Sequence, residues 1–191
     1  MTTVPGFGAR LGHCMAGLVL LCLLAPTVAA EEAPWVLVDS EAQVLTVMKG
    51  GTELVRFDHI AIGRGGASEL RRQGDGSTPI GTFRVAWINE DSPFRRFFGF
   101  DFPTLDDAKR ARAAGVLPEA EFRRIERAVK AGDIPPQNTT LGGRLGIHGL
   151  GGANPRVHRD FNWTKGCIAV TNHQIDQLSR WIAVGTRVVV R

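Results

Sequence analysis

Short apolar runs, broken every few residues by turn-forming side chains, constrain this chain more than any other feature, because they suit strands of a packed sheet. Trp35-Val36-Leu37-Val38 and Val44-Leu45-Thr46-Val47 are separated by Asp39-Ser40-Glu41. The pair Gly50-Gly51 precedes Glu53-Leu54-Val55-Arg56-Phe57, read as continuing through Ile60-Ala61-Ile62. Such spacing predicts an antiparallel meander with tight turns. A Gly-rich, charged loop over 63–76 leads to Thr78-Pro79-Ile80-Gly81-Thr82-Phe83-Arg84-Val85, where a proline-set turn enters another strand.

The pattern then changes period. Thr104-Leu105-Asp106-Asp107 has the form of a helix N-cap with an acid three residues on, and after Pro118 the residues Phe122, Ile125 and Val129 recur at helical spacing. Helices are therefore expected near 104–114 and 118–131. Pro135-Pro136 ends this stretch, and Leu145-Gly146-Ile147-His148 returns to strand. A helix from about Asn172, with Ile175, Leu178 and Ile182 on one face, precedes a last strand from Thr186 to Val190. The expected fold is mainly β: one domain over 31–191 with a helical insertion at about 90–140 and a C-terminal helix.

Residues 1–30 contain no acid, one arginine (Arg10), an apolar run from Met15 through Ala25, and a small-residue end at Val28-Ala29-Ala30. They read as a cleaved signal peptide, so the protein is expected to be exported to the periplasm or cell envelope. The apolar run falls short of the ~20 residues of a membrane span, and no later segment approaches that length. No stable membrane insertion is expected after cleavage. Without Arg10 the chain keeps 22 of its 23 basic residues against 19 acidic ones, a net +3. Arg71-Arg72, Arg95-Arg96 and Arg123-Arg124 are scattered pairs that read as solvated surface. So small and dispersed an excess argues against nucleic acid as a partner.

Cys14 and Cys22 leave with the leader, which makes Cys167 the only thiol of the mature chain. A lone thiol in an exported protein forms no intramolecular disulfide, so catalysis becomes its strongest explanation. Cys167 sits in Thr164-Lys165-Gly166-Cys167-Ile168, and Gly166 permits close backbone approach at a turn. There the sulfur can be exposed while backbone N–H groups face a developing oxyanion. His148, in Gly146-Ile147-His148-Gly149, is the candidate base, and the Gly149 carbonyl can fix its tautomer. The competing readings are a buried small hydrophobe for Cys167, a core histidine for His148, and His158 as the base. His173 reads as surface and His59 as part of a strand. Neither the thiol nor the histidines show a metal-ligand spacing, so no metal and no cofactor are expected. Arg156, Arg159 and Trp163 flank the nucleophile, and a bidentate arginine suits a peptide carboxylate.

The run Ile147-His148-Gly149, followed after a loop by Thr164-x-Gly166-Cys167-Ile168, resembles the catalytic motif of the L,D-transpeptidase catalytic-domain family. Thr78-Pro79-Ile80-Gly81-Thr82-Phe83 is similar to that family's Thr-Pro-x-Gly-x-Phe segment. The resemblance spans roughly 35–190, apart from the insertion. It implies a β-sandwich-like catalytic domain acting on peptidoglycan stem peptides. In that reading Cys167 is the nucleophile, His148 the base, Gly149 the orienting carbonyl, and the N–H groups of Gly166 and Cys167 are oxyanion donors. Many members carry histidine where this chain has Lys165, which makes Lys165 a candidate to favour the thiolate or to bind substrate, beside Thr164, Trp163, Arg156 and Arg159. The implied reaction is transfer of a stem tetrapeptide through a Cys167 thioester to an amine of a second stem or of an envelope protein. The alternatives are water as acceptor, giving a carboxypeptidase or a hydrolase of protein–peptidoglycan links with the same dyad, and a wall-binding module without catalysis.

Overall fold

Alternation starts the sheet. In Trp35–Asp39 (β1) Val36 and Val38 are buried while their neighbours are only partly covered, as a strand with one core face requires. It pairs antiparallel with Val44–Lys49 (β2), from Trp35 opposite Met48 to Asp39 opposite Val44. Thr52–Asp58 (β3) continues the meander along β2. The strand expected to run on through Ile62 stops at Asp58, because His59 takes a left-handed φ of 58°, uncommon for a residue with a Cβ. The chain leaves the sheet edge there, and Ala61 exchanges backbone hydrogen bonds of 2.9 and 2.7 Å with Ala169.

Ala67–Ser68 (β4) and Thr78–Pro79 (β5) form a separate small parallel pair. Gly81–Asn89 (β6), Phe97–Phe100 (β7), Gly146–His148 (β8) and Ile168–Ala169 (β9) then extend the large sheet, and Arg187–Val190 (β10) inserts between β1 and β6. The order is β3-β2-β1-β10-β6-β7-β8-β9, with β10 parallel to β1 and β9 parallel to β8. Strand β7 lies within the stretch read from sequence as a helical insertion, and it joins β6 to β8.

Leu105–Ala113 (α1) is opened by a complete capping box between Thr104 and Asp107. Glu119–Ala131 (α2) follows Pro118 and closes on Gly132 at φ 75°, the left-handed cap that glycine adopts without strain. The polar loop after β8 contains a short helix, Pro155–Asp160 (α3), capped by Asn154. Asn172–Leu178 (α4) starts with a second capping box, Thr171 with Gln174. Ala108, Ala111, Phe122, Ile125, Ile175 and Leu178 join the strands' inner residues in one apolar core. Phe83 stacks on Phe100 at 5.4 Å and meets Phe102 edge-on at 6.0 Å, tying β6 and β7 to the start of the helical stretch. Secondary structure is mostly sheet with short helices. The structure, a computed structural model, describes residues 1–3 and 32–191, so the leader assigned from sequence lies almost wholly outside the described residues.

Candidate active site

Parallel pairing of β8 with β9 sets Ile147 beside Ile168 and His148 beside Ala169. Cys167 therefore stands at the mouth of β9 and His148 at the end of β8, on adjacent strands. The turn that delivers the thiol is packed backbone against backbone. Gly166 has φ 122°, and a Cβ there would meet the Ser77 carbonyl oxygen at 2.6 Å. A Cβ on Gly63 would meet the Gly76 oxygen at 2.0 Å and the Gly166 Cα at 3.0 Å. The segment before Thr78-Pro79-Ile80-Gly81 thus forms the floor of the Cys167 turn, and the Gly63 N–H donates to Thr78 Oγ1 at 2.8 Å.

Thr164 holds the turn from within. Its hydroxyl donates to the Cys167 carbonyl at 2.6 Å and accepts the Gly166 N–H at 3.1 Å. In this arrangement the Gly166 N–H is engaged by Thr164. Thr164 is 4% exposed, and its hydroxyl is engaged with the turn. The thiol points at the Arg144 carbonyl, 3.7 Å away, and receives the Gly146 N–H. Burial pushes the Cys167 thiol up to about 11, opposed by the Gly146 N–H and by the positive charge of Arg71. At neutral pH the sulfur is protonated.

His148 is 3% exposed and lies among rings: Phe94 at 4.4 Å, Phe97 at 6.2 Å, and Trp163 edge-on at 5.9 Å. Its Nδ1 is 2.6 Å from the Gly149 carbonyl oxygen. A carbonyl only accepts, so the proton is on Nδ1 and Nε2 carries the lone pair. Desolvation by this cage holds the imidazole below its ordinary range, against the Gly149 hydrogen bond. Gly149 is close-packed: a Cβ would fall 2.8 Å from both Asn172 Oδ1 and the Phe94 oxygen.

Two clefts meet at the sulfur. One, of about 980 Å³, is walled by Trp87, Phe94, Phe97, Trp163 and His148. The other, of about 610 Å³, is lined by Arg64, Arg71, Arg144 and Lys165. Cys167, Arg144, Lys165 and Gln137 belong to both. Trp163 walls the first cleft, and Lys165 lines both with an exposed side chain. Arg71, packed beneath the same turn, is a cation that opposes the upward shift of the thiol. Arg156 and Arg159 are exposed on α3 and line neither cleft, and Arg159 pairs with Asp160 at 3.5 Å. The rival base His158 is buried outside both clefts, its Nδ1 accepting from Trp163 Nε1 at 3.4 Å. Sequence reasoning missed Arg71, taken for solvated surface but only 5% exposed, and Arg144; the one available signal was their proximity in sequence to the two motif segments.

A thiol and an imidazole are thus presented by adjacent strands of a mostly β domain and line one cleft. The family model of the L,D-transpeptidase catalytic domain matches residues 33–190, and the chain belongs to that family. No curated protein matches the chain. Among solved structures, the helical cell shape determining protein Pgp2 from Campylobacter jejuni is 19% identical, with TM-score 0.58 over 85% of this chain and 48% of its own. Bd1075 of Bdellovibrio bacteriovorus is 18% identical, with TM-score 0.56 over 85% and 49%. An Enterococcus faecium L,D-transpeptidase mutant is 16% identical, with TM-score 0.50 over 84% and 50%. The chain spans about half the length of these proteins, and at such identities the likeness is one of fold.

Proposed function

We propose that the protein is an exported, cysteine-dependent L,D-transpeptidase that acts on peptidoglycan stem tetrapeptides through a thioester at Cys167. The observation that carries this reading is the His148 tautomer. With Nδ1–H held by the Gly149 carbonyl at 2.6 Å, the free Nε2 lone pair belongs to a residue lining the same cleft as Cys167. The family acts on peptidoglycan peptides, which supports the substrate class.

Sulfur attacks the carbonyl of the diaminopimelate residue bonded to terminal D-alanine, and His148 Nε2 takes the thiol proton. The tetrahedral oxyanion faces the backbone at the turn, with the Cys167 and Gly166 N–H groups as its donors, the latter on release from Thr164. Collapse breaks the peptide C–N bond, His148 returns the proton to the departing amine, and D-alanine leaves. An amine from a second stem or an envelope protein then attacks the thioester, His148 takes its proton, and the thiol is restored. The scheme uses no cofactor. A thiol that is neutral at rest and a desolvated imidazole suit this order, because the proton moves only as the new bond forms.

The test is mass spectrometry of muropeptides incubated with the protein and with Cys167→Ala. Loss of D-alanine and gain of an acceptor should occur with the first and be absent from the second. Turnover by a correctly folded Cys167→Ala protein would remove the reading.

A further inference from the structure

The two clefts at the sulfur differ in charge, and the difference has a built centre. Arg64, Arg71, Arg144 and Lys165 line the smaller cleft, together with Gln73 and Gln137, and no Asp or Glu lines it. Arg71 is 5% exposed, yet its Nε and Nη1 have no hydrogen-bond partner. Its Nη2 reaches the Lys165 carbonyl only at 3.5 Å. The nearest carboxylate, Asp75, is 3.9 Å from Nε and already accepts from the N–H groups of Arg72 and Ser77 and from the Ser77 hydroxyl. A buried guanidinium with idle donors is costly unless an anion completes it. Cys167 is a neutral thiol at neutral pH and Asp75 stays 3.9 Å from Nε, so no anion of the described residues hydrogen-bonds to Nε or Nη1.

Arg144 adds a second cation in a held conformation. It adopts φ 53°, which a residue with a Cβ rarely keeps without support. The Gln137 side chain provides it, accepting the Arg144 N–H at 2.6 Å while donating to the carbonyls of Phe102 and Pro135 at 2.8 Å each. The same Arg144 peptide carries the carbonyl that meets the thiol. The helical stretch thereby fixes an arginine beside the reacting sulfur.

We infer that this cationic cleft is a carboxylate-binding site for the acyl donor, in which Arg71 and Arg144 hold the free C-terminal carboxylate of the D-alanine that leaves. The inference rests on the peptide substrate proposed above. That carboxylate lies one residue beyond the scissile bond, and a guanidinium fork matches its geometry. Donors ending in a free acid are selected, and a blocked C-terminus leaves the buried Arg71 and the exposed Arg144 without that partner.

Calorimetry on the protein carrying Cys167→Ala, which binds without turnover, tests this with three ligands. These are the stem tetrapeptide, its D-alaninamide form, and a form amidated only on the diaminopimelate side chain. Amidation at D-alanine should weaken binding roughly tenfold or more, since breaking one side of a desolvated, hydrogen-bonded charge pair is expensive. Arg144→Gln should weaken the free acid by a similar factor and leave the D-alaninamide nearly unchanged, while diaminopimelate amidation should matter little in any variant. Arg71→Gln should behave as Arg144→Gln does; because Arg71 is buried, its thermal melt is compared first, and the exposed Arg144 carries the test alone if that variant unfolds. Equal binding of acid and D-alaninamide, or an arginine effect that follows diaminopimelate amidation instead, overturns the assignment while the substrate reading stands. Binding of none of the three ligands overturns both.

Discussion

Cys167 is held by backbone and His148 by side chains. The thiol rides on a turn where Gly166, Gly63 and Gly76 touch main chain to main chain, and Thr164 closes the turn from inside. The imidazole is wedged among Phe94, Phe97 and Trp163 and anchored by a single carbonyl. His148 is buried and Cys167 partly buried, and desolvation shifts the two groups in opposite directions: the thiol up to about 11, the histidine below its usual range. Desolvation favours the neutral form of each. The difference lies in what each surrounding tolerates. A backbone cradle fails sterically when a single carbon is added, whereas an aromatic cage can lose a ring and still stand, with altered titration.

The largest effect separates the two histidines. His148→Ala should lower kcat by ~10²–10⁴-fold, the usual worth of a positioned general base. His158→Ala, which removes only a partner of Trp163, should lower it by a few fold. Reversed results in steady-state rates on disaccharide-tetrapeptide would assign the base to His158. Next comes the cradle. Gly166→Ala adds a Cβ 2.6 Å from the Ser77 oxygen at φ 122°, and should cost about 1–3 kcal/mol in chemical denaturation. Wild-type stability in that variant would show that the turn is not tightly packed.

The cage predicts a pH effect. Because the folded His148 sits below the ordinary imidazole range, it stays neutral as pH falls through that range, and kcat/KM should decline only below it. Phe94→Ala readmits water, so its acid limb should move to higher pH, giving lost activity in mildly acidic buffer and nearly unchanged activity at alkaline pH. An unshifted limb would mean that Phe94 contributes no desolvation. The smallest effect concerns the resting thiol. Iodoacetamide should react slowly at neutral pH and faster as pH approaches about 11, and Lys165→Ala should leave that curve in place, since the Arg71 that opposes the shift remains. A fast neutral-pH reaction that slows in Lys165→Ala would restore the role read from sequence.

Much of the fold and site was legible in residue order. Short apolar runs marked β1 and β2, and capping signatures at Thr104 and Pro118 marked helices that occupy Leu105–Ala113 and Glu119–Ala131. The histidine-glycine and glycine-cysteine pairs marked the two adjacent strand ends. Other features depended on contacts distant in sequence. Phe97–Phe100 is too short to announce itself among charged neighbours, and it becomes a strand because β6 and β8 flank it. Arg71 resembles Arg72 in sequence, yet one is sealed beneath the Lys165–Gly166 turn and the other is exposed. Burial of an arginine leaves no periodic mark, and the left-handed turns at His59 and Arg144 follow from tertiary partners rather than from glycine. The loop arginines Arg156 and Arg159 were plausible by proximity alone, and α3 turns them to solvent.

The central claim is that Cys167 carries the acyl group. Intact-protein mass spectrometry after brief incubation with disaccharide-tetrapeptide, without added acceptor, tests it most directly. The account predicts an adduct equal to the donor less D-alanine, located on Cys167 by peptide mapping and released by an amine or by hydroxylamine. Release of D-alanine with the adduct on another residue, or with Cys167 still alkylatable throughout turnover, would contradict it.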